Sequence, residues 1–364
     1  MTIKNITDYI EELAPLAYAE DFDNVGLLVG DSQTEVTGVL VALDTLEETI
    51  DEAIEKGCNL IVSFHPIVFK GLKKFNGNNY VERVVIRAIK NDVAIYATHT
   101  ALDNSNLGVS AKMAEIIGLN NTRILIPQNG IIKKLTTYIP VKDAENLREA
   151  LFRSGAGNIG NYDHCSFNIK GEGTYRGNED SNPTIGKVGE LHLEKEISIN
   201  VIFEKHLEGK ILNTLFEQHP YEEIAYEVIT LDNTHQQIGM GMIGELPKET
   251  EIETFFEELK SKFDLKMIRH SKTVKNKIIK VAVLGGSGSF AIDQAKRAGA
   301  DIFITADLKY HDFYKSENQI VLADIGHYES EQFTKNLLVD YLTKKITNFA
   351  IILSKNNTNP INYI

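Results

Sequence analysis

The stretch VTGVLVALDTLEETIDEAIEKGCNLIVSFHP, residues 36–66, decides the fold of this chain. It opens with an apolar run, 36–44, and continues with a segment whose apolar residues recur at helical spacing. Thr45 and Glu48 have the spacing of a capping box at the start of that helix. A second apolar run, LIVSF, then ends at His65. The stretch therefore predicts a strand, a helix and a second strand in succession.

The same alternation extends outward on both sides of the chain. YVERVVIRAIKN (80–91) predicts a helix and VAIYATHT (93–100) a third strand, so parallel pairing with right-handed crossovers is expected. The last third has the same alternation of strands and helices, with a helix from about Glu329 to Lys344 and a closing strand NFAIILSK (348–355). We therefore predict an α/β protein whose core consists of two pseudo-related βαβ-type halves.

The middle third interrupts this alternation. Its segments read as strand, helix, strand, strand, helix and strand, the order of a ferredoxin-like domain. We expect this inserted domain at 131–232, with hinges at 126–130 and 232–239. The metal-binding core would then be discontinuous, formed by 1–130 and 233–364.

Composition limits the classes of function. The 364 residues carry 38 basic and 51 acidic groups, a net charge of −13, which disfavours non-specific binding to nucleic acid. We find no apolar run long enough to cross a membrane, and the first residues resemble an amphipathic helix more than a signal peptide. The two cysteines are too few for a disulfide framework. A cytoplasmic protein is the simplest expectation.

Imidazoles and carboxylates gather where predicted strands end. The five residues are His65, His99, Asp103, His327 and Glu331, and the last two are four apart, which places them on one face of a helix. Each could instead be a buried, hydrogen-bonded histidine, a turn residue or a capping pair. Because ligands of open α/β sheets lie at the carboxyl ends of the strands, the shared location favours a metal site.

Two further acids also close predicted strands. Asp44 and Asp307 could orient ligand imidazoles, or they could cap helices, an interpretation slightly favoured for Asp44. Histidines without such spacing are interpreted as surface or structural residues: His164, His192, His206, His219, His235 and His270.

The segment GGSGSFA offers a competing function. Gly286, Gly288 and Ala291 match G-x-G-x-x-A between a strand and a helix, and Asp307 follows near the position of a ribose-binding acid. A dinucleotide-binding oxidoreductase is therefore an alternative. It leaves the metal-type residues unexplained, and we consider it less favoured. The loop could still hold an anion at the helix N-terminus.

Six short motifs resemble, in the same order, those of the Nif-three-like family, whose members are often labelled GTP cyclohydrolase 1 type 2 homologs. They are DNVGLLVG, HPIVFKG, THTALD, GGSGS, TADLKYHD and GHYESE. GNIGNYDHCSF, GEGTYRG and NPTIG in the middle third are similar to the long bacterial members. The resemblance implies an α/β core with two adjacent metal ions, usually zinc or iron, a toroidal homohexamer, and an insert similar to PII/CutA-type proteins.

The resemblance also implies a set of ligands. His65, Asp103 and Glu331 would hold one metal ion, and His327 with a bridging Glu331 would hold the other. The family usually has a second histidine at the position of Phe64. This departure removes one ligand from the second ion, so one strong and one weak site are expected, with His99 as a candidate additional ligand and Glu329 as another possible substitute.

We therefore predict a metal-dependent hydrolase with one or two divalent ions per chain, zinc or iron first and manganese as an alternative, acting on a small-molecule substrate. A non-catalytic metal-binding or regulatory hexameric scaffold is the alternative from another class. No catalytic residue beyond the ligands, and no specific substrate, can be named from the sequence.

Overall fold

The computed structural model describes residues 1–347 and 349–364 of this mixed α/β chain. These residues form two compact units, one of Met1–Ile126 with Gln237–Ile364 and the other of Pro127–Gln236. Within the described residues, no helix is long and apolar enough to cross a membrane. The assignment of 131–232 as an inserted domain stays a prediction.

The first unit contains a sheet of five strands whose neighbours are parallel except at one edge. All residues of the three middle strands are buried, as expected when both faces of a sheet are covered. In spatial order the strands are β1 (Gly26–Val29), β4 (Ala94–Ala97), β3 (Leu60–Ser63), β2 (Val39–Ala42) and β15 (Ile351–Leu353).

A second sheet of six strands belongs mainly to the same unit. Its three central strands are parallel, and the strands on either side of them are antiparallel to their neighbours. In spatial order they are β11 (Arg269–His270), β14 (Val321–Asp324), β13 (Ile302–Ala306), β12 (Lys277–Ser287), β10 (Thr234–Glu251) and β5 (Asn120–Asn129).

Helices pack on both faces of the first sheet. Alternate side chains of each strand point to opposite faces, and both sets are apolar. Val41 belongs to one apolar cluster with Ile6 and Leu338, whereas its neighbour Leu40 belongs to another with Val84. The helices of this unit are α1 (Ile3–Leu13), α2 (Glu47–Glu55), α3 (Tyr80–Lys90), α4 (His99–Asp103), α5 (Val109–Ile117), α8 (Ile252–Phe263), α9 (Ile292–Arg297), α10 (His327–Glu331) and α11 (Thr334–Lys345).

The second unit has its own sheet and core. Its elements follow the order strand, helix, strand, strand, helix, strand: β6 (Ile132–Pro140), α6 (Ala144–Arg153), β7 (Phe167–Tyr175), β8 (His192–Glu204), α7 (Glu208–Gln218) and β9 (Tyr226–Leu231). The sheet order is β7-β8-β6-β9, and its neighbours are antiparallel. Both helices pack on one face through a cluster that includes Leu147, Ile199 and Leu215.

Several local predictions were wrong. Helix α2 starts after Leu46, and the backbone N–H of Leu46 donates to Thr49 Oγ1 at 3.1 Å, so the predicted capping box at Thr45 is absent. The helix expected over 329–344 is two helices, α10 and α11.

The closing strand pairs with β2 of the first sheet, because the chain returns there after α11. Most of the two expected hinge segments lies in the extended strands β5 and β10.

Candidate metal centre

The predicted site residues follow the carboxyl ends of strands in both sheets of the first unit. His65 comes two residues after β3, and His99 begins α4 immediately beyond β4. Asp103 ends that short helix. His327 and Glu331 begin and end α10, which follows β14. Since parallel strands end at a common edge, each sheet brings its own residues to one place.

Three of these side chains converge on one point. One ligand atom from each of His65, His327 and Glu331 lies within 4.8 Å of the other two. Glu331 Oε2 is 3.1 Å from the Nε2 atom of each imidazole. Glu331 is buried, whereas both histidines are partly accessible, so the cluster opens toward solvent on the imidazole side.

The donor set fits a cation. Glu331 Oε2 is buried and faces the Nε2 atoms of two imidazoles. A bound cation would take the place of the ring protons between this oxygen and those nitrogens. Two imidazole nitrogens and a carboxylate oxygen suit zinc, iron or manganese.

A carboxylate lies behind each imidazole of the site. Asp44 Oδ1 is 2.7 Å from His65 Nδ1, and Asp307 Oδ2 is 2.7 Å from His327 Nδ1. These contacts occupy Nδ1 and leave Nε2 as the ligand atom, the arrangement by which outer carboxylates orient metal-binding histidines. Asp44 therefore contacts a candidate ligand instead of capping α2, whose N-terminal cap is Leu46.

Asp23 is a third carboxylate that contacts an imidazole, that of His99, and the sequence did not predict it. Asp23 Oδ1 and Oδ2 both lie 2.8 Å from His99 Nδ1, and the backbone N–H of Thr100 donates to Asp23 Oδ2 at 3.1 Å. Asp23 belongs to the DNVG motif but lies 76 residues from His99 along the chain. It precedes β1, which is antiparallel to its neighbour, so a search at parallel strand ends could not find it.

The charges of the cluster shift one another's protonation. Burial lowers the pKa of His65, but Asp44 and Glu331 outweigh it and raise that pKa to about 10. The Glu331 carboxylate raises the pKa of His327 to about 9, against the effect of burial. Burial raises the pKa of Glu331, but the two imidazoles bring it down to about 2. The carboxylate at the centre is therefore ionised at neutral pH.

Asp103 belongs to the same electrostatic environment without being one of the three convergent donors. Burial and then the charge of Glu331 raise the pKa of Asp103 well above its ordinary range, whereas His65 and His327 act in the opposite direction. The ligand roles of all four predicted residues stay predictions.

His99 lies next to the cluster. Its ring centroid is 5.5 Å from that of His65 and 5.7 Å from that of Phe64, and its φ of 28° is unusual for a residue other than glycine. Phe64 is fully buried in the apolar core of the first unit. The position where the resembling family usually has a histidine thus offers no ligand atom.

The glycines of GGSGSFA are explained by close packing. A Cβ atom on Gly286 would overlap Glu331 Oε1, and one on Gly288 would overlap Thr305 Oγ1. Gly286 also has a φ of 65°, a conformation that glycine adopts readily. The helix that follows, α9, has only six residues after a 3-10 turn, Ser289–Ala291. These features do not require a dinucleotide and support the site around Glu331.

Glu329, considered as a substitute ligand, contacts the C-terminal segment instead. Asn359 Nδ2 donates to Glu329 Oε1 at 3.0 Å, and Thr358 Oγ1 donates to Asp44 Oδ2. The C-terminal segment therefore supports the residues that surround the centre.

Comparisons with a family model, with curated proteins and with solved structures all indicate the same protein family. The model of the Duf34/NIF3 (NGG1p interacting factor 3) family matches residues 1–360. A GTP cyclohydrolase 1 type 2 homolog of Bacillus subtilis is 35% identical, covering 99% of this chain and 98% of that protein. Another, of Halalkalibacterium halodurans, is 36% identical with the same coverage. The crystal structure of a Bacillus cereus protein related to NIF3 matches with a TM-score of 0.87 and 36% identity, covering 100% of this chain and 99% of that one.

Proposed function

The chain belongs to the Duf34/NIF3 family, and on that premise we propose that it is a metal-dependent hydrolase with its centre at His65, His327 and Glu331. The observation that supports this proposal most directly is the convergence of the buried Glu331 Oε2 with the Nε2 atoms of two imidazoles, whose Nδ1 atoms are held by carboxylates. A divalent ion bound there supplies Lewis acidity and makes water a stronger acid.

We assign the surrounding side chains separate tasks. His65, His327 and Glu331 hold the ion, and Asp44 and Asp307 fix the two rings through Nδ1. Asp103, at the end of α4, is the proposed fourth ligand, as the family resemblance implies. A second, weaker ion would share the Glu331 carboxylate, because both nitrogens of His65 and His327 are already engaged and Phe64 provides no ligand.

His99 is proposed as the group that moves a proton. Asp23 occupies His99 Nδ1 and leaves Nε2 as the nitrogen that can accept or release a proton near the centre. Burial raises the pKa of Asp23, but its bonds to His99 and Thr100 outweigh this and lower that pKa to about 2. Asp23 is therefore ionised at neutral pH and fixes the His99 ring through Nδ1, with Nε2 free to face the centre.

The experiment combines metal analysis with an activity screen. Protein purified without chelator is analysed for zinc, iron and manganese, and it is assayed with nucleotides, phosphoesters and amides, with and without added metal. We expect close to one tightly held ion per chain, and activity that disappears in His65→Ala and Glu331→Gln. Glu329→Gln is the matched control, because that buried glutamate of the same helix contacts Asn359.

A non-catalytic metal-binding scaffold is the second candidate, and the burial of Phe64 in place of a further donor favours it. Full metal loading without turnover of any substrate class would support the scaffold and contradict the hydrolase. Failure of wild-type protein to retain any of the three metals would contradict both.

We also propose that the second unit is a ferredoxin-like insert, that the two sheets of the first unit represent pseudo-related halves, and that the chain forms a homohexamer. The element order and the sheet order β7-β8-β6-β9 support the first of these. Light scattering after size-exclusion chromatography tests the third, and a mass other than six chains would contradict it.

A further inference from the structure

The second unit contains a large cavity that the proposed hydrolase does not use. It has a volume of about 1150 Å³ and lies against strands β6, β7 and β8. Ile199 and Val201 face the helices, so the alternate residues Glu196 and Ser198 of β8 lie on the opposite face of the sheet, where the cavity is. The volume is ample for a small organic molecule.

Hydrogen bonds fix the loop that follows β7 over this face. Tyr175 donates its hydroxyl to the backbone carbonyl of Ile185 at 2.8 Å, and Thr184 donates to the carbonyl of Pro220 at 2.8 Å. The backbone N–H of Asn182 donates to Glu222 Oε1 at 2.8 Å. The loop after β7 is therefore held in place by hydrogen bonds and forms one side of the cavity.

The charged side chains that line the cavity are mostly acidic. The charged lining side chains are five carboxylates and one guanidinium: Glu172, Asp180, Glu196, Glu222, Glu223 and Arg176. Such a lining repels anions and raises the local concentration of cations.

Glu196 gives the cavity a specific counter-ion. It is only 8% exposed, and its Oε1 accepts a hydrogen bond from the Tyr221 hydroxyl at 2.8 Å. Among the described residues, no hydrogen bond is made to its Oε2. Gly173, also in the lining, leaves room for that oxygen, because a Cβ atom there would overlap it. Glu196 therefore presents one fixed and one accessible carboxylate oxygen to the cavity, an arrangement that suits a positively charged partner.

Aromatic rings complete the site. The Tyr175 and Tyr221 rings have centroids 5.9 Å apart, and Tyr138 also lines the cavity. Tyrosine faces attract amines and guanidinium groups, which are less strongly hydrated than metal ions. In the described residues, the one cluster of metal-type side chains is the centre at His65, so these walls favour an organic cation.

We propose that this cavity binds a small organic cation carrying an amine or guanidinium group, with Glu196 as its counter-ion and Tyr175 and Tyr221 as its walls. The site is independent of the metal centre, since all of its lining residues belong to the second unit.

The test uses two glycines of the second unit in the full-length protein. Gly173→Ala places a methyl group against Glu196 Oε2, whereas Gly209→Ala, on α7 and outside the cavity lining, meets no atom within 4 Å. Neither residue has a positive φ, so alanine keeps the local backbone intact. Calorimetric titration with spermidine and with agmatine should show binding that weakens at least tenfold in Gly173→Ala and less than twofold in Gly209→Ala.

Charge variants provide a second measurement. Glu196→Gln should weaken both amines at least tenfold, and Glu217→Gln, on the exposed surface of α7, should change them less than twofold. Absence of amine binding to the wild-type protein at millimolar concentration would overturn the proposal. Equal weakening by the paired variants, which indicates diffuse attraction, would also overturn it, as would Mg²⁺ competing for the site as well as the amines.

Discussion

Gly286 shows how closely the backbone approaches the ligand side chains. Gly286→Ala would force a methyl group into Glu331 Oε1 at a φ of 65°, so the carboxylate must move away from the two imidazoles. We expect metal affinity to fall at least tenfold, together with a loss of about 1 kcal/mol of stability from the backbone strain. Competition with a chromogenic zinc chelator measures the affinity, and urea unfolding measures the stability.

Gly299→Ala is the control for this change. Its φ of 74° imposes similar strain, but an added Cβ meets no atom within 4 Å. It should lose a comparable amount of stability and keep its metal affinity. If both variants bound metal as the wild type does, the position of Glu331 would not matter for the centre.

The carboxylates behind the imidazoles should tune the site without touching the ion. Asp307→Asn keeps a hydrogen-bond acceptor for His327 Nδ1 but removes the charge, and Asp44→Asn does the same for His65. Loss of such an outer carboxylate typically lowers metal affinity 10- to 100-fold, and we expect that range here. The chelator competition serves again, with Asp340→Asn on the exposed side of α11 as the control. An unchanged affinity in both variants would contradict the orienting role.

Three of the side chains selected from the sequence converge in the structure, whereas their outer contacts were harder to predict. His65, His327 and Glu331 could be found because they follow buried strands of parallel sheets, where position along the chain determines position in space. Asp23 could not, because its partner His99 is 76 residues away and no local spacing links them. For Asp44 the sequence left both a helix cap and an imidazole partner open and slightly favoured the cap, because a strand-end acid looks the same in either role; the structure shows the contact with His65.

Asp301 connects two strands of the second sheet and provides a test of their pairing. It is buried, and its Oδ2 accepts hydrogen bonds from the backbone N–H groups of Ile279 and Lys280 at 2.9 and 3.0 Å. Burial raises the pKa of Asp301, but Lys275 and these N–H groups outweigh it and lower that pKa below its ordinary value of 3.8. The ionised form is therefore the stabilising one.

Asp301→Asn should lower the free energy of unfolding by about 1.5–3 kcal/mol at pH 7, the usual range for hydrogen bonds to a charged group. A lowered pKa gives stability that is fully present above 3.8 and is lost as the pH falls through the lower folded value. The difference between wild type and variant should thus shrink below pH 4. Urea unfolding from pH 7 to pH 3 measures it.

Asp293→Asn, at an exposed position of α9 that pairs with Lys296, is the matched control and should change stability little. A wild-type advantage over Asp301→Asn that stays constant down to pH 3 would show that the charge of Asp301 is not what joins the strands.

Strands and helices could be predicted where a run of apolar residues is buried, but the residues at which they begin and end were harder to predict. The alternation of strand and helix followed from apolar runs, whereas the start of α2 depended on Thr49 and not on Thr45. The break between α10 and α11 has no glycine or proline to mark it. The pairing of β15 with β2 joins residues 351–353 to 39–41, a contact that periodicity cannot predict.

The division of the chain into two compact units predicts that the first unit binds metal without the second. All side chains assigned to the metal centre belong to the unit of Met1–Ile126 and Gln237–Ile364. Strands β5 and β10, in which the chain passes between the units, are neighbours in one sheet. A short glycine-serine linker from Ile126 to Gln237 should therefore replace the second unit without breaking that sheet.

This shortened protein should fold and bind the same number of metal ions per chain as the full-length protein, with an affinity within threefold. Circular dichroism and cooperative urea unfolding establish that it folds, and elemental analysis after gel filtration gives the stoichiometry. Glu331→Gln in the shortened protein is the control and should abolish binding, because it removes the charge of a ligand that the first unit alone provides. A folded shortened protein that retained no metal would mean that the second unit supplies part of the centre.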